Sequence, residues 1–284
     1  MSHSTEALVH DHVIASEAVG KEMRVRVVTP PGYDPAGRHP VVYLLHLWGR
    51  DERYWTDRLG VHLRLAEGVR VGALPPMVLA LPQGDKSFYL NAADPPGIDW
   101  KSLPLDWEDE FFDQALELYG RYGDYLLEEA IPFVEASYAV RRDRAGRAIG
   151  GLSMGGTGAA VHAFSEPGRF CAVGIHTPAI FPGAGQGGPP WIFGMGDAQA
   201  FAARDPAQVA ARFVTPGNQP RIWLDCGWED PMREVVEALH GALLARKLAH
   251  DYHLWPGGHN GAYWARHVGD YLAFYARGWT GEVP

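Results

Sequence analysis

Apolar residues in this chain come as short unbroken runs separated by longer stretches of mixed character. Val41-Val42-Tyr43-Leu44-Leu45 is one such run, and residues 77–81 and Ile222-Trp223-Leu224 are others. A strand with one wet face alternates apolar and polar positions. A run that is apolar throughout is expected of a strand covered on both faces, as in a parallel sheet. Residues 23–28 alternate instead, and Thr29-Pro30-Pro31-Gly32-Tyr33 closes them with turn residues. Ala148-Ile149 lead straight into Gly151, and Tyr252-His253-Leu254-Trp255 reads as a further strand. Between the runs the period lengthens. Residues 125–138 carry Leu126, Leu127, Ala130, Ile131 and Val134 at helical spacing, with Pro132 expected to kink or break the helix. Residues 157–165 are small and apolar. Residues 232–248 place Val235, Val236, Leu239 and Leu243 on one stripe behind Pro231, and residues 263–276 form a terminal helix. Strands alternating with helices predict a doubly wound α/β fold, a mostly parallel sheet with helices on both faces.

Composition narrows the classes. The 284 residues suit one large α/β domain or two small ones, and no repeat or low-complexity linker divides them. Apolar content of 46% and charged content of 21% fit a soluble globular protein. A net charge of -9 argues against non-specific nucleic-acid binding, which needs a basic surface. No apolar run approaches a membrane span. The N-terminus lacks the basic start and apolar run of a secretory signal, so a cytoplasmic protein is expected. Cys171 and Cys226 each lie in a strand-like run and read as buried free thiols rather than a bridge. His10-Asp11-His12 reads as a polar strand or tail, not a metal site. Residues 183–190 lack the Lys and hydroxyl of a phosphate cradle and read as a mobile loop. No metal or organic cofactor is expected.

The candidate chemistry begins at Gly151-Leu152-Ser153-Met154-Gly155, the Gly-x-Ser-x-Gly form of a nucleophile elbow. With 34 glycines in the chain, chance alone supplies that pentapeptide about one time in ten, so its surroundings must decide. Here it falls between a buried strand and a small-residue helix, as an elbow requires. Serine is a poor nucleophile without a base and an acid. In a doubly wound sheet such groups gather beyond the carboxyl ends of strands, and in α/β-hydrolases they follow the serine in the order acid, then histidine. The loop Asp225-Cys226-Gly227-Trp228-Glu229-Asp230-Pro231 offers three carboxylates. Asp225, at the strand end, reads as structural; Asp230 is favoured as the acid, with Glu229 the alternative. The loop Pro256-Gly257-Gly258-His259-Asn260-Gly261 offers His259 as base. His253 lies inside a strand pattern and His267 inside a helix. An oxyanion hole needs two backbone N–H groups. Met154 should supply one, and the loop from His46 to Arg50 the other, through Trp48 or, second, Leu47. His46 itself reads as a brace for that loop. Of the tryptophans, Trp48 alone is expected to touch substrate.

These residues together resemble the esterase family of α/β-hydrolases that includes S-formylglutathione hydrolase, feruloyl esterases and the mycobacterial mycolyltransferases. The resemblance rests on Pro30-Pro31-Gly32-Tyr33 with Tyr43-Leu44-Leu45-His46, on Leu81-Pro82-Gln83-Gly84 through Ser87-Phe88-Tyr89, and on the helix from Glu128 to Glu135. The elbow, the loop ending at Asp230, and Gly258-His259 with Trp264 complete it. It implies a single α/β-hydrolase domain over residues 1–284 and a serine carboxylesterase working through an acyl-enzyme on Ser153. It adds weight to Asp230 and Trp48, and implies a small-molecule ester or thioester as partner. Acyl transfer by the same residues, and a binding protein of the same fold with weakened turnover, are the rival readings; a homo-oligomer is compatible with all three. Two departures stand out. Leu47 occupies the place where many relatives have glycine, and residues 91–119, rich in Pro, Trp and acids, read as an insertion, either a lid or pocket wall or an exposed loop without catalytic consequence.

Overall fold

The computed structural model describes residues 6–92, 120–194 and 196–279. Eight strands form one sheet: β1 (Leu8–Ser16), β2 (Lys21–Thr29), β3 (Val41–Leu45), β4 (Val78–Pro82), β5 (Arg147–Leu152), β6 (Ala172–His176), β7 (Arg221–Gly227) and β8 (Asp251–Trp255). Their order is β1-β2-β4-β3-β5-β6-β7-β8; β2 pairs antiparallel with both β1 and β4, and β3 to β8 are parallel, so β2 alone runs against the rest. This is the α/β-hydrolase fold.

The unbroken apolar runs are explained by two cores, one on each face. Val41, Tyr43 and Leu45 of β3 enter the first core, while Val42 and Leu44 enter the second. Because side chains alternate across a strand, both faces must be apolar when both are covered. The first face is covered by the helices Met154–Ser165 and Arg233–Ala245 and by the helical stretch that ends in Ile131–Ser137. The second is covered by Val61–Arg70 and Gly261–Ala276. β1 shows no such run because it is an edge strand, with residues exposed or half-buried along most of its length.

Pro132 neither breaks nor ends its helix. Wide π turns over Tyr125–Ala130 pass directly into the α-helix Ile131–Ser137, where Pro132 lies in the first turn and the backbone stays helical on both sides. The missing N–H falls at the changeover between two hydrogen-bond spacings, where it is tolerated. His10-Asp11-His12 is part of β1, and each side chain has a partner within the fold. Asp11 pairs with Arg26, His10 meets Thr29 Oγ1, and His12 meets the Tyr138 hydroxyl. Cys171 and Cys226 are free and buried. Residues 183–190 include a tight turn closed by a Gly183–Gln186 bridge. The insertion expected over 91–119 lies outside the described residues from 93 onward. Asn91 itself is pinned to Arg121 by an antiparallel bridge and to Asp124 through its side chain. Among the described residues no helix is long and apolar enough to cross a membrane.

The sheet carries one tight insertion from a helix. Tyr275, on the terminal helix, pushes its hydroxyl between β5 and β6, into space left free only because Gly150 and Gly174 lack side chains. Gly150→Ala should therefore destabilise the fold by about 1–3 kcal/mol through overpacking. Tyr275→Phe should also cost stability, because it removes the partner of a buried histidine nitrogen. The double variant should lose less than the two single losses added together, measured by urea unfolding. Strict additivity would show that the two positions do not press on each other.

Candidate active site

β5 ends in the centre of the sheet. Its neighbour β3 is followed by a helix on the second face, while β5 itself is followed by Met154–Ser165 on the first. The connections leave in opposite directions, which opens a crevice at their carboxyl ends. Ser153 stands at that point with φ 53° and ψ -114°. A Cβ on Gly151 would overlap the backbone of Gly155, and one on Gly155 would lie 2.6 Å from the carbonyl oxygens of Leu45 and His46. Both glycines of the motif are thus required by backbone-to-backbone contact, one within the turn and one between helix and β3.

β7 and β8 deliver the partners. His259 Nε2 lies 2.8 Å from Ser153 Oγ, and His259 Nδ1 lies 2.9 Å from Asp230 Oδ2. A carboxylate only accepts, so Nδ1 carries the proton and Nε2 is left to accept from the serine hydroxyl. Asp230 is fully buried at its side chain, and its other oxygen accepts from Met232 N–H at 2.8 Å. Glu229 points outward and is exposed. His253 is packed between Trp223 and Trp255, and His267 lies on Trp255 and meets Asp270. The structure therefore brings together Ser153, His259 and Asp230, and leaves the rival carboxylate and histidines aside.

The two loops hold one another. Trp228 N–H donates to Trp255 C=O at 2.8 Å and Glu229 N–H to Gly257 C=O at 2.9 Å. A side chain on Gly227 would collide with Gly257, whose φ of 127° also calls for glycine. Asn260 caps the terminal helix by accepting from Ala262 and Tyr263 N–H, each at 3.1 Å, which fixes the residue just before it, His259. Trp264 meets the His259 ring edge-on at 5.3 Å and donates its indole N–H to Thr177 Oγ1 at 2.9 Å.

Met154 opens the helix, so its N–H is one of the four that a helix leaves without an internal partner. Trp48 is half-buried and packs on Phe88 at 5.8 Å between ring centres. Phe88 in turn touches Phe181 and Phe193. This aromatic group escapes sequence reasoning, since its members are distant in the chain. It adjoins the elbow, because Ala179 N–H donates to Ser153 C=O at 3.1 Å two residues before Phe181. Of the other tryptophans, Trp55 and Trp191 are buried, and Trp228 is exposed with its N–H on Leu254 C=O. Trp100 and Trp107 lie outside the described residues.

Asp225 is structural, as its position at the strand end implied. Its carboxylate is fully buried and accepts from four groups: His176 Nδ1–H, the Trp223 indole, and the Tyr263 and Tyr271 hydroxyls, at 2.7 to 3.1 Å. Burial, with Asp225 adding to it, raises all three nearby tyrosines, Tyr263, Tyr271 and Tyr275, far above the usual phenol range. They act here as neutral donors.

A family model described as "Putative esterase" matches residues 16–275. Among curated proteins, an esterase of Mycobacterium tuberculosis is 27% identical over 165 residues, covering 57% of this chain and 30% of its own. The chain spans less than a third of the length of the curated relatives it matches. Among solved structures, a ferulic acid esterase superposes with a TM-score of 0.78 at 21% identity, covering 97% of this chain and 99% of its own. An S-formylglutathione hydrolase from Agrobacterium tumefaciens gives 0.74 at 18% identity, covering 97% and 96%.

His46 makes the site sensitive to acid. Burial drives its pKa down to about 4, whereas an unfolded histidine titrates at about 6.5. Between those values the unfolded chain holds a proton that the folded one refuses. Stability present above the upper value is therefore lost as pH falls toward the lower, on the order of 3 kcal/mol from this group alone. Denaturant unfolding between pH 7 and pH 4.5 should show stability falling with pH. His46→Asn should flatten that slope, and an unchanged slope would assign the acid sensitivity to other groups.

Proposed function

Because the chain belongs to the Putative esterase family, we propose that it hydrolyses carboxylic esters or thioesters through an acyl-enzyme on Ser153. The observation that carries this is the unbroken hydrogen-bonded line from Ser153 Oγ through His259 to Asp230, at 2.8 and 2.9 Å. Half of a second requirement, the oxyanion hole, is supported by the helix N-terminus at Met154.

In this reading Ser153 Oγ attacks the carbonyl carbon while His259 Nε2 takes its proton. Asp230 keeps the other nitrogen protonated, orients the ring and stabilises the imidazolium. The carbonyl oxygen becomes an oxyanion and accepts from the N–H groups of Met154 and Trp48. His259 then returns the proton to the leaving alcohol or thiol, and the acyl group stays on the serine. Water enters, gives a proton to His259 and attacks the acyl carbon. Release of the acid restores the hydroxyl. Each proton is passed by one nitrogen, which is why the tautomer set by Asp230 matters as much as its charge. The aromatic group of Trp48, Phe88 and Phe181 beside the elbow supports an apolar acyl or alcohol portion.

Ser153→Ala should lower turnover of an aryl acetate by about 10⁶-fold with thermal unfolding unchanged. Asp230→Asn, which leaves the histidine in the wrong tautomer, should lower it by about 10⁴-fold. A fluorophosphonate should label the wild-type protein at Ser153 and leave Ser153→Ala unlabelled. Turnover by Ser153→Ala at the wild-type rate would overturn the assignment. Transfer of the acyl group to an added alcohol faster than to water would point to acyl transfer instead.

A further inference from the structure

His46, at the end of β3, is almost completely buried, and both ring nitrogens are engaged. Gly84 N–H donates to Nε2 at 2.9 Å, so that nitrogen is bare. The ring proton therefore sits on Nδ1, which donates to Leu47 C=O at 2.8 Å. The same carbonyl accepts from Arg50 N–H at 3.2 Å, across a turn in which Gly49 has φ 68°. Leu47 C=O is thus held by two donors. A trans peptide is planar, with its C=O and the following N–H pointing in opposite directions. The N–H on the far side of that held carbonyl is that of Trp48.

We propose that His46 is a positioning residue that sets the rotation of the Leu47–Trp48 peptide and so aims the Trp48 N–H at the oxyanion. The proposal rests on the ester-hydrolysis reading and adds to it the device by which one oxyanion donor is fixed. Three further contacts make the clamp stiff. His46 N–H donates to the Tyr89 hydroxyl at 3.0 Å, and that hydroxyl donates to Pro82 C=O at 3.0 Å. The ring edge of His46 also meets Tyr89, at 5.5 Å between centres. The side chains on either side of the peptide are anchored oppositely, Leu47 against the second core and Trp48 against the first. Leucine in place of glycine at this position therefore leaves the peptide over-determined rather than loose. The clamp works only with a bare Nε2, because a proton there would face the Gly84 N–H.

Asparagine and glutamine separate the two bonds. The Asn amide nitrogen overlays Nδ1, so His46→Asn keeps the donor to Leu47 and loses the acceptor for Gly84. The Gln amide overlays Nε2, so His46→Gln keeps the acceptor and loses the clamp. With an aryl acetate, His46→Gln should lose about 10- to 100-fold in kcat, part of the loss from deleting an oxyanion donor, with KM little changed. His46→Asn should stay within a few-fold of wild type by the same comparison. Inhibition by an aryl trifluoromethyl ketone, whose serine adduct carries an oxyanion, should weaken in His46→Gln by the same factor as kcat. Nitrogen-15 spectra of the wild-type imidazole should show His46 with the proton on Nδ1.

Wild-type kcat in His46→Gln, or equal losses in both variants tracking their thermal unfolding, would overturn the clamp. So would a proton on Nε2 in the wild-type spectrum, whether or not the variants fold. Undiminished turnover by Ser153→Ala is a different failure, and would count against ester hydrolysis at Ser153 rather than against the clamp.

Discussion

The left-handed backbone at Ser153 can be held only because main chain packs directly on main chain around it. A non-glycine residue at φ 53° carries strain on the order of 1–3 kcal/mol. Three backbone hydrogen bonds oppose its relaxation. Ser153 N–H donates to His176 C=O at 2.9 Å, and Ser153 C=O accepts from Thr157 and Ala179 N–H, each at 3.1 Å. The glycines at 151 and 155 let the helix start within contact of β3, so the N-terminus of that helix and the loop after His46 meet across a gap no side chain could share. The serine, the helix N-terminus at Met154 and the end of β3 are therefore fixed by a single close approach.

The remaining groups depend on that approach without taking part in it. Asp230 and His259 ride on loops beyond β7 and β8, and neither loop is braced by its own strand alone. The hydrogen bonds from Trp228 and Glu229 to the histidine loop, with the Gly227–Gly257 contact, make the two a single unit. Trp264 ties that unit to Thr177 at the end of β6, and β6 holds the elbow through His176 C=O. Rigidity is what lets a hydrogen-bonded line act as a relay, because a shift of about 1 Å in any member costs far more in rate than in stability.

Much of this was legible in the chain. Strands buried on both faces show as apolar runs, which is why β3, β4 and β7 could be read directly, and the elbow's glycines state their own steric need. Position and family resemblance favour Asp230 over Glu229, and in the fold Asp230 meets His259 with one oxygen while the other accepts from Met232 N–H. The Val61–Arg70 helix also carried a signal, since Val61, Leu65 and Val69 recur every four residues and pack on the second core. The short helices Ala198–Ala202 and Pro206–Phe213 carried another, an aspartate at each N-cap and a proline opening the second. The aromatic group around Phe88 had none, since only the fold brings residues 48, 88, 181 and 193 together.

At the carboxyl end of the sheet, two histidine–carboxylate pairs are built from the same parts, one inside the sheet between β6 and β7 and one on the loops beyond it. His176 and Asp225 are 2.7 Å apart, closer than His259 and Asp230 at 2.9 Å. Proximity therefore does not distinguish a relay from a brace. What distinguishes them is the face of the second nitrogen. His176 Nε2 meets the Tyr275 hydroxyl deep between two strands, where no substrate can enter, and its carboxylate has every lone pair engaged. His259 keeps 22% of its side chain exposed, and its second nitrogen meets the strained serine. A buried pair satisfied on all sides specifies structure. A pair left with one open direction, pointed at a hydroxyl, can move a proton. The inner pair joins the ends of β6 and β7, and His176 C=O accepts from Ser153 N–H, so the line through Ser153, His259 and Asp230 stands on a fully satisfied copy of its own hydrogen-bonding pattern.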